Sequence, residues 1–105
     1  MAEAAQHFVE LDELQAKTGQ RIAEWTHNEA AYISCGAAAG IVLSTAACMT
    51  GLDADKRGRL PETAGMKNEV IVHQAGIVGY AEAIRHTGAR LVLIGDEQGA
   101  TAAQC

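Results

Sequence analysis

The sequence predicts an α/β fold, a partial three-layer arrangement in which helices flank a short, mainly parallel sheet. Three observations predict it. "EVIVHQ" (69–74) and "RLVLIG" (90–95) are near-continuous apolar runs, the pattern of strands covered on both faces. Helix-like stretches alternate with these runs, and strands alternating with helices join as right-handed parallel crossovers. Hydrophobic residues make up 49% of the 105-residue chain, enough for one modest core and too many for a disordered polymer. The chain therefore reads as one partial domain, 1–105, in five segments: 1–28 helical; 29–51 strand, glycine turn and apolar helix; 52–68 polar loop; 69–95 strand–helix–strand; 96–105 tail.

Each element has a local cause. Leu11, Leu14, Thr18, Ile22 and Trp25 recur at spacings of three or four, which puts them on one helix face. Gly19 weakens that helix by about 1 kcal/mol relative to Ala without moving the face. His27 and Asn28 mark its exit, and the Ala-rich residues before Phe8 read as a separate short helix or a frayed end. Tyr32, Ile33 and Ser34 form a short strand candidate that Gly36 breaks. Residues 37–50 then favour helix through their Ala, Leu and Met content, and Gly51 stands where a left-handed cap is wanted. This second helix is apolar on nearly every side, so it needs cover on more than one face. Residues 52–68 carry Asp53, Asp55, Lys56, Arg57, Arg59 and the single proline, Pro61, and read as a loop with room for one helical turn. A helix from Tyr80 to His86, with Gly88 near its C-cap, joins the two apolar strands. Three strands make a narrow sheet with edges that a complete protein covers or pairs.

Charge removes several function classes. Eight Lys and Arg stand against 13 Asp and Glu, giving a net charge of -5. An acidic chain without Lys/Arg clusters argues against a nucleic-acid surface, which needs cations to displace counterions. It also lacks a basic amphipathic helix for a membrane surface. "MAEAAQHFVELDEL" has neither the basic nor the apolar region of a signal peptide. The longest weakly polar run, 35–49, is shorter than the roughly 18 residues a spanning helix needs. The expectation is a soluble cytoplasmic protein. Cys35, Cys48 and Cys105 are not in CxxC spacing and suit free thiols, with Cys48 a buried core thiol. His7, His27, His73 and His86 do not pair at ligand spacing, so no metal site is expected.

One stretch has chemical potential. "AYISCGAAAGIVLSTAACMTG" (31–51) sets a glycine turn before a helix, and the first N–H groups of a helix lack internal partners. Gly36 permits a tight turn, and the alanines let a ligand approach the backbone. A phosphate suits such a turn; a plain turn before a core helix gives the same pattern. There is no GKS or GKT, and Gly36 and Gly40 do not make GxGxxG. Cys35 stands where a helix start can lower a thiol pKa, but no base is indicated beside it. His73 ends the first apolar strand, and ligands of open α/β sheets sit outside the carboxyl ends of strands. His73 could therefore meet a ligand ring or bond to backbone, and Asp96, after the last strand, could face the same site or solvent.

With these pieces in order, the chain resembles the selenocysteine synthase (L-seryl-tRNA(Sec) selenium transferase) group of pyridoxal-phosphate enzymes, which have the aspartate-aminotransferase fold (fold type I). The matching segments are "FVELDELQAKTGQRIAEWTHNEAAYISCGAAAGIVLSTAACMTG" and "LPETAGMKNEVIVHQAGIVGYAEAIRHTGARLVLIG". Only an early part of the family's large domain is covered. The resemblance implies pyridoxal 5'-phosphate as cofactor, with Cys35, Gly36, Ala37 and Ala38 cupping its phosphate, mainly by backbone N–H groups. It implies that His73, with Gln74 next to it, lies by the cofactor ring. Relatives carry a His-Arg pair after this strand, and "AGIVGY" has neither.

The family's Schiff-base lysine and the acidic partner of the pyridine nitrogen come from later strands. Lys17, Lys56 and Lys67 fall on an amphipathic helix and in a polar loop, so no catalytic residue is assigned. The expectation is a truncated or split segment of a transferase or lyase, inactive alone. Its partner would be the remainder of the catalytic domain or another copy of itself in an oligomer. The acidic charge suits small amino-acid or phosphorylated amino-sugar substrates better than tRNA. Two other readings compete: a stand-alone phosphate-ligand-binding α/β module, and a non-catalytic assembly piece whose apolar helix docks on a partner.

Overall fold

A computed structural model describes residue 3, residues 7–76 and residues 79–96. Cys105, most of the 96–105 tail and most of the Ala-rich start lie outside the described residues. The order of elements is α1 (Leu11–Thr26), α2 (Ala37–Thr50), α3 (Ala54–Arg59), β1 (Glu69–His73), a 3-10 turn (Gln74–Gly76), α4 (Ala81–Arg85) and β2 (Arg90–Ile94). Contacts gather into two compact units, Met1–Cys35 and Gly36–Cys105.

In the first unit, α1 ends as its sequence predicts. His27 takes a left-handed conformation (φ 56°, ψ 41°), its N–H bonds Ala23 O, and Asn28 N–H reaches the same carbonyl at 3.0 Å. The buried line of α1 is Gly19 and Ala23, with Gln15, Thr18 and Ile22 half-buried. This corrects the expected apolar face. Leu11 is 75% exposed and Trp25 68%, because the returning residues cover the helix on its small-residue side instead. Gly19 allows that return: a Cβ there would overlap the carbonyl oxygen of Ala31. Gln15 Nε2 fastens the same segment by donating to Ile33 O at 3.0 Å.

A prediction follows from Gly19. In an ordinary helix, Gly19→Ala would gain about 1 kcal/mol. Here the added methyl meets backbone, which cannot rotate away as a side chain can, and such overpacking costs about 1–3 kcal/mol. We expect a net loss of stability in thermal melts; a gain would show that residues 28–33 do not hold their place against α1.

Tyr32–Ser34, expected as a strand, forms none. β propensity favours a backbone shape, but a strand exists only with a hydrogen-bonded neighbour, and no described residues ladder with these.

In the second unit, β1 and β2 form a two-stranded parallel sheet in the register Glu69↔Arg90 to His73↔Ile94. α2 packs on α3 and α4, and α4 packs on β2. Apart from Met49 the buried residues are small, Thr50, Thr63, Ala81, Ala83, Thr87 and Ala89, and no large side chain is fully buried among the described residues. The strands are half-covered rather than buried as expected. Ile71 is 59% exposed and Leu93 48%, because two strands and a short helix cannot close both faces. The α/β class and the parallel pairing stand; among the described residues the sheet has two strands, not three.

The connection between α2 and β1 is more ordered than a polar loop. Gly51 has the expected positive φ (54°) but not a left-handed ψ, and its N–H still bonds Ala47 O at 2.8 Å. Asp53 then caps α3, accepting from the N–H groups of Asp55 and Lys56 at 3.0 and 3.1 Å. The Leu60–Pro61 bond is cis. Thr63 is buried, donating its hydroxyl to Gly88 O at 3.0 Å and accepting from Asn68 Nδ2 at 2.9 Å. Arg90 N–H donates to Asn68 O at 2.7 Å, and the Arg90 and Glu69 side chains pair across the start of the sheet. The entries to both strands are thus tied together.

The cap makes α3 pH-sensitive. The Lys56 N–H, with the Lys56 ammonium 3.7 Å away and the Asp55 N–H adding to it, holds the Asp53 carboxyl below its ordinary range. The folded value lies below the unfolded one, so the cap's contribution is complete above the ordinary Asp range. It is lost as pH falls through the depressed value. Acid titration followed at the α3 amides should show fraying there. Asp53→Asn, which caps without a charge, should remove the pH dependence while keeping the helix.

Candidate functional site

The amino end of α2 is built by Gly36. Its backbone (φ 144°, ψ 172°) lies in a region essentially reserved for glycine, and a Cβ there would meet nothing within 4 Å. The first intrahelical bond is Gly40 N–H to Gly36 O at 3.0 Å, so the N–H groups of Ala37, Ala38 and Ala39 precede the ladder. Gly36, Ala37 and Ala38 are exposed. No acidic residue stands in this first turn, and the N-cap, Gly36, brings no side chain of its own. The macrodipole at the start of a 14-residue helix favours an anion. The donor set is neutral and almost wholly backbone, with open approach, which fits a phosphate group. Cys35, the residue before Gly36, is an exposed free thiol.

His73 is the last residue of β1, exposed, and opposite Ile94 in the register; Gln74 begins the 3-10 turn after it. A cleft of about 420 Å³ separates the carboxyl half of α2 (Ser44, Cys48, Met49) from the start of β1 (Lys67, Glu69, Ile71). Gly36 and His73 are the ends of these two elements that lie outside the cleft. Cys48, expected in the core, is exposed on the cleft wall, because α2 is covered by α3 and α4 and not on this side.

The three lysines are accounted for. Lys17 pairs with Glu13 on α1, Lys56 pairs with Asp53, and Lys67 is exposed two residues before β1. His7, His27, His86 and Asp96 are exposed. Among the described residues, no three His, Cys, Asp or Glu groups gather as a metal site, and no helix is long and apolar enough to cross a membrane. Thr63 and Asn68 belong to no motif legible in the sequence. Their signal was only a threonine and an asparagine flanking a turn, and the hydrogen bonds they make are structural.

No protein-family model matches the chain. It is similar to D-glucosaminate-6-phosphate ammonia lyase of Salmonella typhimurium, 38% identical over 104 residues, which is 95% of this chain and 28% of that enzyme. It is also similar to 5'-C-glycyluridine monooxygenase-decarboxylase of a Streptomyces species, 33% identical over 100 residues, 90% of this chain and 25% of that one. A solved structure of D-glucosaminate-6-phosphate ammonia-lyase superposes with a TM-score of 0.91 at 38% identity, over 98% of this chain and 29% of the other. The chain thus spans little more than a quarter of the length of the relatives it matches.

Proposed function

We propose that this chain is a segment of a pyridoxal-phosphate-dependent enzyme of the selenocysteine synthase-like, fold type I group, of lyase rather than selenium-transferase chemistry. One observation carries the reading: 38% identity along 95% of the chain to an ammonia lyase for a phosphorylated amino sugar. The exposed, acid-free first turn of α2 supports it. Gly36, Ala37 and Ala38, with Cys35 before them, hold the cofactor phosphate through backbone N–H groups. His73 lies by the cofactor ring, with Gln74 next to it. Bound pyridoxal phosphate supplies an electron sink for carbanion chemistry.

This chain holds the phosphate and leaves the Schiff-base lysine to the remainder of the catalytic domain; its partner is that remainder, or a second copy with which it associates. The half-covered sheet and the exposed apolar residues Leu43, Ile71 and Leu93 support such a partner. The substrate class is a small amino acid or a phosphorylated amino sugar, and the compartment is the cytoplasm.

The test adds pyridoxal phosphate to the purified chain, then borohydride, and maps any labelled lysine. Phosphate-dependent thermal stabilisation without a site-specific lysine label is the expected result. A stoichiometric label on Lys17, Lys56 or Lys67 would overturn the assignment of the lysine to another segment. Absence of any stabilisation by pyridoxal phosphate or inorganic phosphate would overturn the phosphate cup. Equal stabilisation by unrelated phosphate esters, with the chain monomeric, would favour the stand-alone binding module.

A further inference from the structure

We draw no further inference here: the strongest candidate, the open cleft between α2 and β1 with Cys48 and Lys67 on its walls, holds no buried unpartnered polar group among the described residues, and nothing in the structure shows what covers it.

Discussion

Replacing Gly88 by alanine should lower the melting temperature of the second unit by more than about 10 °C, taking about 4–8 °C per kcal/mol for a domain of this size. Two penalties act together. The residue sits at φ 87°, where an L side chain costs about 1–2 kcal/mol. Its Cβ would also overlap the carbonyl oxygen of Pro61 and come within 2.8 Å of Thr63 Cγ2. Overpacking of that kind costs about 1–3 kcal/mol. The same shift would break the Thr63 hydroxyl bond to Gly88 O and leave a half-buried acceptor short of its donor. Against a small unit whose buried core is mostly alanine and threonine, the sum removes much of the available stability. Differential scanning calorimetry reads the result. A melting temperature within 2–3 °C of the parent, roughly the change from half a kcal/mol, would show that the Pro61–Gly88 approach is not maintained in solution.

The second large effect concerns the first turn of α2. The parent chain should be stabilised by pyridoxal phosphate, by about 2.7 kcal/mol at a ligand concentration one hundred times Kd. Gly36→Val should abolish that increment. Valine cannot hold φ 144° and ψ 172°, so the backbone must rotate and re-aim the N–H groups that follow. A Cβ at this position meets nothing within 4 Å, so the penalty begins with the backbone and not with crowding at Cβ. The substitution will also lower the ligand-free melting temperature, so the quantity that decides is the difference with and without ligand in each variant. His73→Ala offers a contrast, because it leaves the turn intact and should preserve stabilisation by inorganic phosphate alone. A Gly36→Val chain that keeps the full phosphate increment would remove the turn from the site.

What the sequence revealed follows from what local residues can decide. The helices were legible because spacing and caps act within a few residues: His27 ends α1 and Gly88 ends the α4 turn with positive φ, both near where the composition placed them. The strands β1 and β2 were legible because apolar, β-branched runs leave few alternatives. Three things were not. The strand at Tyr32–Ser34 depends on a partner that local propensity cannot supply. The side of α1 that is buried depends on Gly19 and on where the chain returns, not on which residues are most apolar. The burial of Cys48, Ile71 and Leu93 depends on neighbours beyond one sheet face. For the candidate site, the glycine turn was visible as a pattern. Its glycine-only backbone became an argument only with geometry.

The bonds that join Thr63, Asn68, Gly88 and Arg90 set the alignment of β1 against β2 by contacts internal to one unit. A one-residue slip would carry every side chain of a strand to the opposite face, so this fastening decides which residues any added strand must match. The pair therefore acts as a template. A strand added along an edge of the described sheet inherits an alignment already chosen.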